Sequence, residues 1–503
     1  METSEISNWY RDQHVFITGA TGFMGKILIE KLLRSCPDVA AIYVIIRSKK
    51  GKNATQRLEE LLNSVIFDSI RQLPDSKSIF EKVKCITGDV TEENCGISAK
   101  DQELLEKSVT SVFHMAANVK FDLTVKTAIL LNTGGTLNVL EWACKLQNLK
   151  IFVHVSTSYC HCDVTELEEK LYDAPQDPRK MLDMVKWMSD DLLETLTPKL
   201  LSKYPNSYAY TKGLTEQLVS EYSTKLPIVI TRPSIVFAAY KEPIPGWIDN
   251  LNGPTGILVG AGKGVIRTMH CNAELNTDFV PVDMTINSLL TVAWKVGTGP
   301  QKSEAEVYNI TANRDDSLSW GTALEICKRH VFNYPYSVML WYPGGGPKSN
   351  YIVHCIAAFF FHLLPAYFVD MLLTLTGNKP FLVNIQKKIS HGLRILQYYT
   401  IRPWYFHNDK FAKLYESLNT VDKEIFYANR EKLNHDEYLE NYVLAVRKYC
   451  VKEDPSTIAS ARKTLNRLYC LDLLKDILFY GLLLWLFYGF VSKLFAAVGN
   501  PLV

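Results

Sequence analysis

The run Thr18-Gly19-Ala20-Thr21-Gly22-Phe23-Met24-Gly25 constrains this chain more than any other stretch. It lies between an apolar segment, His14 to Ile17, and a helix-like segment, Lys26 to Arg34. The order is therefore strand, glycine turn, helix. Only glycine lets the backbone turn that tightly and approach a pyrophosphate, while the helix N-terminus presents amides and a positive dipole to the anion. An isolated match of this kind is simply a tight strand–helix turn. Placed at the first strand of the chain, with matching features downstream, it reads as a dinucleotide cradle.

Those features begin with rhythm. Short β-branched runs at Val15–Thr18, Ile42–Ile46, Val83–Thr87, Ser111–His114, Ile151–Val155 and Ile228–Thr231 alternate with helical patterns such as Leu104–Lys107 and Thr136–Gln147. This is the βαβ pattern of an α/β, Rossmann-type, doubly wound parallel sheet. The crossover rules put the glycine turn at the carboxyl edge of the first strand, near the switch point where ligands bind. At 503 residues the chain exceeds one ordinary domain. From about Val331 the texture changes, and Tyr342-Pro343-Gly344-Gly345-Gly346-Pro347 has the chemistry of a turn-rich linker. We expect a dinucleotide-binding Rossmann-type unit over 1–330, a mainly helical unit over 331–470 and a hydrophobic anchor over 471–503. No internal repeat or low-complexity tract is visible.

A net charge of +2 gives no polyanion signal, so nucleic acid is not an expected partner. The polar start, Met1 to Gln13, lacks a basic stretch followed by an apolar one, so no secretory signal is expected. Eleven cysteines without regular spacing read as reduced thiols. Cys160 and Cys162 flank His161, but no second ligand pair follows at a suitable spacing, so no metal is expected. Near the C-terminus, Ile477 to Ser492 is uncharged between Asp476 and Lys493. Its helix would be about 24 Å long, short of a hydrocarbon core of about 30 Å. Lys493 can snorkel, Leu494 to Val498 can prolong the apolar stretch, and Tyr480, Trp485 and Tyr488 suit an interface. A C-terminal membrane anchor is expected in preference to a buried core helix, with the catalytic part facing the cytosol.

Several residues could carry chemistry. After the second strand comes Arg47, with Lys49 and Lys50 behind it, where an acidic residue would bind the ribose hydroxyls of NAD. A cation there suits the 2′-phosphate of NADP, unless the loop is merely a solvated basic one. Gly88-Asp89-Val90 follows the third strand, with its carboxylate placed for an adenine amino group. His114-Met115-Ala116-Ala117 follows the fourth, where small residues allow close cofactor approach or close packing. Asn132 would either orient a water or cap a helix. Ser156, Thr157 and Ser158 end the fifth strand and present hydroxyls at the same edge. Later, Tyr208 and Lys212 share one helix face, and a nearby ammonium is expected to lower the phenol's pKa, so that Tyr208 can trade a proton with a developing alkoxide.

In this order, and with Arg232-Pro233-Ser234-Ile235-Val236 following, the set resembles the extended short-chain dehydrogenase/reductases. Within them the chain is similar to the fatty acyl-CoA reductases. Glu242-Pro243-x-Pro245-Gly246-Trp247-Ile248-Asp249-Asn250, Asn252-Gly253-Pro254, Gly262-Lys263-Gly264, Val280-Pro281-Val282-Asp283 and Glu437-Tyr438-x-Glu440-Asn441-Tyr442 carry that likeness, together with the apolar tail. The resemblance implies Thr157 as the catalytic hydroxyl, although Ser158 stands where relatives often have alanine, so Ser156 and Ser158 stay open. It implies that Lys212 holds the nicotinamide ribose and that Pro233 and Ser234 border the nicotinamide. The glycine-lysine stretch at 262–264 lacks the spacing and the hydroxyl of an ATP loop.

The implied activity is NADPH-dependent reduction of long-chain acyl-CoA to a primary alcohol through an aldehyde. Tyr208 would protonate each oxyanion, and covalent catalysis by Cys160 or Cys162 is not required. Lys263 or Arg267 would meet CoA phosphates on grounds of charge alone. Tyr351 to Thr376, apolar but for His354, His362, Pro365 and Asp370, would line an acyl tunnel, lie against a membrane, or form a buried helix pair. The endoplasmic reticulum is the expected membrane, with the peroxisome also compatible. The alternatives are a same-fold enzyme that stops at aldehyde or acts on a sterol or sugar, and a membrane-anchored NADPH-binding scaffold.

Overall fold

A computed structural model of the chain describes residues 3–49, 51–312, 317–430 and 433–498. Strands β1 (His14–Thr18), β2 (Ala41–Ile46), β3 (Val83–Thr87), β4 (Ser111–His114), β5 (Ile151–Val155), β6 (Ile228–Pro233) and β7 (Glu306–Ile310) form one sheet. Its order is 3-2-1-4-5-6-7, and every pairing is parallel. The chain reverses direction across the sheet between β1 and β4, so the cleft opens above the carboxyl ends of those two strands.

Strand residues alternate between two cores, as the pleat requires. Val15 and Ile17 of β1, with Ile42, Val44 and Ile46 of β2, face one core, while Phe16, Tyr43 and Ile45 face the other. Helices cover both faces. Those that position the site are α1 (Phe23–Ser35), α2 (Gly135–Ala143), α3 (Ser207–Ser220) and α4 (Val282–Thr298). The first core continues into the C-terminal part, where Phe411, Leu414, Phe426, Tyr438 and Tyr442 pack into it. Asp422 accepts hydrogen bonds from Ser4 Oγ at 2.6 Å and from the Glu5 amide at 3.0 Å, so the N-terminal segment is tied to the C-terminal part.

Beyond the linker, Tyr351–Leu375 is helical, with one π-helical turn at Phe359–Leu363. It is 25 residues long, its most apolar 18-residue window has a mean hydropathy of 1.9, and only 17% of that window is buried, which excludes the buried helix pair. Among the described residues it is the one helix that combines the length and hydropathy of a membrane span. It is followed by α5 (Leu382–Thr400), and the chain ends in α6 (Ile458–Val498), about 62 Å long. The anchor segment expected at Ile477–Ser492 is part of α6, and its apolar side chains are exposed, Trp485 at 69% and Tyr488 at 73%. Residues 499–503 lie outside the described residues.

Candidate active site

At the carboxyl end of β1 the backbone turns through Gly19, whose φ is +76°. A Cβ there would come within 2.9 Å of the Ala116 amide, so the turn and the segment after β4 are in backbone contact. Gly25 serves a different purpose: its Cβ would lie 2.4 Å from the Gly19 carbonyl, which brings α1 hard against the turn. Gly22 is the N-cap of α1, and no side chain caps it among the described residues. The first amides of the helix are thus left to an anion. A nicotinamide dinucleotide fits this cradle, since a side chain at Gly19 or Gly25 would fill it.

Thr18 is fully buried, so its role is to hold the turn rather than to touch a ligand. Its hydroxyl oxygen accepts the amides of Met115 and Ala116, both at 3.1 Å, and lies 2.8 Å from His114 Nδ1. His114 Nε2 lies 2.9 Å from Thr136 Oγ1, which itself donates to the Asn132 carbonyl at 2.7 Å. Only one proton arrangement satisfies this chain: Thr18 donates to Nδ1, and Nε2–H donates to Thr136. Burial holds the imidazole neutral, with its pKa down to about 3, and Lys212 adds to the effect.

Asn132 then closes the circuit. Its amide group grips Asn118 through both the Asn118 N–H (2.8 Å) and the Asn118 carbonyl (3.2 Å), and it donates to Thr211 Oγ1 at 3.0 Å on the helix of Tyr208. It sits in a π-helical turn, Ile129–Gly134, and caps no helix. The expected choice between water and cap is therefore corrected: Asn132 is a clamp between loop and helix.

The hydroxyls at the end of β5 are not equivalent. Ser158 Oγ donates to the Arg232 carbonyl at 2.7 Å and is spent. Ser156 Oγ is buried without a hydrogen-bond partner among the described residues. Thr157 lies beside Tyr208 and acts to lower its pKa, and its Oγ1 accepts the Tyr159 amide at 3.3 Å. Tyr208 comes from α3, which Asn206 caps by accepting the Ala209 amide at 2.9 Å. Lys212, one turn on, is buried and donates to the Val155 carbonyl at 2.8 Å. Burial pulls its pKa down to about 8 against the opposing pull of Glu216 and Cys160. The phenol departs from expectation: burial pushes the Tyr208 pKa up, Cys160 adds to this, and Thr157 opposes it. The Lys212 ammonium is held on the β5 backbone and does not lower it, so a group that the reaction brings in must offset the burial.

The sequence comparisons agree with this geometry. Residues 17–289 match one family model described as male sterility protein, NAD-binding, and residues 361–453 match a second, the Sterile model. Fatty acyl-CoA reductase 1 of Rattus norvegicus is 37% identical over 92% of this chain and 89% of its own. Fatty acyl-CoA reductase 2 of Homo sapiens is 34% identical over 92% and 90%. The chain belongs to the fatty acyl-CoA reductase family. It is an oxidoreductase that binds a nicotinamide cofactor. The reductase domain of a nonribosomal peptide synthetase from Mycobacterium tuberculosis shares the fold, with a TM-score of 0.55 at 15% identity over 89% of this chain and 93% of that one.

After β2, Arg47 donates to Asp89 Oδ2 at 3.1 Å. Thr91 donates to Asp89 Oδ1 through its amide and its hydroxyl. Burial raises the Asp89 pKa, but these bonds outweigh it and the net shift is downward. Arg57 was not anticipated. It donates to the Arg47 carbonyl at 2.6 Å and to Thr21 Oγ1 at 3.3 Å, so a second guanidinium joins the glycine turn to the Arg47 loop. The signal for it was Asn53-x-x-Gln56, a capping box that starts a helix and places Arg57 in the first turn. Lys50 lies outside the described residues. Phe23 stacks on Trp247 at 5.5 Å, Met24 packs against the first core, and the Val90 carbonyl accepts from Asn138. Ala116 and Ala117 are half-buried beside the turn.

At the end of β6, the buried Pro233 gives its carbonyl to the Ser158 amide at 2.9 Å. Ser234 donates its hydroxyl to Asp278 at 2.6 Å and is not free. Tyr208 is walled by aromatic rings that the sequence reading missed. Phe121 lies 5.6 Å from it and 5.7 Å from Tyr399, whose hydroxyl accepts from Asn206 at 2.8 Å. Tyr159, Trp404 and Phe406 extend the wall. Behind Lys212, Cys160, His161 and Glu216 place one ligand atom each within 4.8 Å of one another. Arg232 already spans the carboxylate of Glu216, at 2.6 and 2.9 Å, so the cluster is a buried ion-pair network. Cys162 turns away and donates to the Tyr159 carbonyl. Arg267 pairs with Asp472 and lies over Phe361, and Lys263 lies over Tyr336, which leaves neither on the cofactor cleft. The 262–264 stretch is a crossing point, because a Cβ at Gly264 would strike the Trp341 carbonyl.

Proposed function

We propose that this reductase converts long-chain fatty acyl-CoA into the primary alcohol in two rounds, with NADPH as the hydride source. The observation that carries the reading is the grouping of Thr157 and Tyr208 beside the buried Lys212, at the same sheet edge as the uncapped glycine turn. NADPH supplies a hydride to the carbonyl carbon. Tyr208 protonates the oxygen that develops negative charge, and Thr157 donates a hydrogen bond to it. In the first round the product is a hemithioacetal, which returns its hydroxyl proton to the Tyr208 phenolate as it expels CoA as a thiolate, leaving the aldehyde and a recharged Tyr208. In the second round the same two hydroxyls serve the aldehyde oxygen. Lys212 keeps the ribose in register, and the wall of Phe121, Tyr159, Tyr399 and Trp404 keeps water from the carbonyl. Arg47 and Arg57 together favour the 2′-phosphate of NADPH over NADH. The exposed α6 is taken to hold the enzyme on a membrane, where substrate and product both partition.

Incubation with acyl-CoAs of increasing length and excess NADPH, with products identified by mass, tests the reading. Alcohol and free CoA are expected, with one alcohol per two NADPH. Accumulation of aldehyde without alcohol would overturn the second round.

A further inference from the structure

We propose that Tyr351–Leu375 and the basic face of α5 form a second lipid-docking surface, which lies flat on an anionic phospholipid bilayer beside the tail helix. This extends the membrane reading of α6, and the two fail separately in the test below.

The segment exposes Ile352 at 67%, Phe360 at 53%, Phe368 at 56% and Leu375 at 75%. Contiguous apolar surface of this extent marks a lipid or protein contact. Its polar interruptions all turn inward. His354 Nδ1 lies 3.1 Å from Thr268 Oγ1, His362 Nε2 accepts the Arg267 amide at 2.8 Å, and Asp370 accepts the amides of Phe381, Leu382 and Val383. What faces outward is therefore uncharged along the whole length and, apart from Tyr351, Tyr367 and Thr374, apolar. A membrane span would carry one end about 30 Å from the other side's contacts. Here His354 and His362 are both tied to residues 267–268, so the segment runs along the protein face instead.

Charge then selects the occupant. No Asp or Glu occurs between Asp370 and Asp409, and Lys387, Lys388, His391 and Arg394 are exposed along α5. Residues 387, 391 and 394 fall on one helix face. A second copy of the chain, docked isologously, would set these cations against one another. Anionic headgroups instead attract each basic side chain held near the surface. Arg267 fixes the position: it pairs with Asp472 of α6 and lies over Phe361, so the tail and the segment leave the protein from one place. At its other end, α5 delivers Tyr399 to the wall around Tyr208.

The test uses the full chain with a photoreactive phenylalanine analogue at Phe360, or separately at Phe487, in vesicles of phosphatidylcholine and phosphatidylserine. Phospholipid adducts are expected at both positions. The pair Lys387→Glu and Lys388→Glu should cut the adduct at 360 by about fivefold or more and leave that at 487 unchanged. Lipid adducts at 487 but none at 360, cross-links from 360 to a second copy, or an adduct at 360 indifferent to the charge reversals would each overturn the proposal. Adducts at 360 but not at 487 would support it and refute the tail as anchor.

Discussion

Three adjacent hydroxyls, Ser156, Thr157 and Ser158, separate by what each already holds. Ser158→Ala removes a donor to the Arg232 carbonyl and should cost about 1 kcal/mol of stability with kcat within about twofold of the parent. Thr157→Ala removes the hydroxyl beside Tyr208 and should lower kcat by about 100-fold, with melting temperature little changed. Steady-state kinetics and thermal melts on the two variants check this, and the reverse ranking would move the catalytic role to Ser158. Lys212 gives a prediction in pH. Its folded pKa is about 8, against about 10.4 unfolded. Between those values the unfolded chain binds more protons, so this group's contribution to stability rises with pH through that window. Activity should move the other way: kcat/KM should fall along an alkaline limb centred near pH 8 as the ammonium is lost. Lys212→Arg, which stays charged, should shift that limb upward.

At the scale of elements, the strand-to-helix junctions carry cofactor choice. Arg57 enters the site because the capping box at Asn53 starts its helix there, and it reaches Thr21 of the glycine turn. Arg57→Ala should raise the KM for NADPH by roughly tenfold, the worth of one charge-assisted hydrogen bond, and leave the KM for NADH within about twofold. Equal losses for both would place the 2′-phosphate elsewhere. Six strands were legible because both faces of a parallel sheet are buried and the strands read as short apolar runs. β7 was not: Glu306-Val-Tyr-Asn-Ile is half polar, and it becomes a strand by pairing with β6. The π-helical turn at Asn132 was equally hidden, because it depends on partners at 118 and 211. The aromatic wall had no local signature, since Tyr399 and Trp404 lie about two hundred residues from Tyr208. The phenol's pKa was misjudged for a related reason. Helix spacing puts Lys212 on the face of Tyr208, but only the fold reveals that the ammonium bonds to Val155 and that desolvation of the half-buried phenol raises its pKa.

At the scale of the molecule, the N-terminal sheet and the C-terminal helices share one core instead of meeting as separate units. Gly246, with φ at +73°, lies where a Cβ would come within 2.2 Å of the Asn441 carbonyl, so two of the family's distinguishing stretches are in backbone contact. Around this point Phe237 packs on Tyr442 at 4.3 Å, and the Tyr438 hydroxyl donates to the Ala238 carbonyl at 2.7 Å. On the far side, Lys31 donates to the Ile425 carbonyl and to Glu242, and Ser4 to Asp422. Gly246→Ala combines a left-handed backbone with a clash against main chain that no rotamer relieves, and should cost about 3 kcal/mol or more. Because the core is continuous, calorimetry of the parent should show the sheet and the C-terminal helices melting in one transition, and the variant should lower that transition as a whole. Two resolved transitions, with only the upper or lower one moved by Gly246→Ala, would mean that the 331–470 helices fold as an independent body despite the shared side chains.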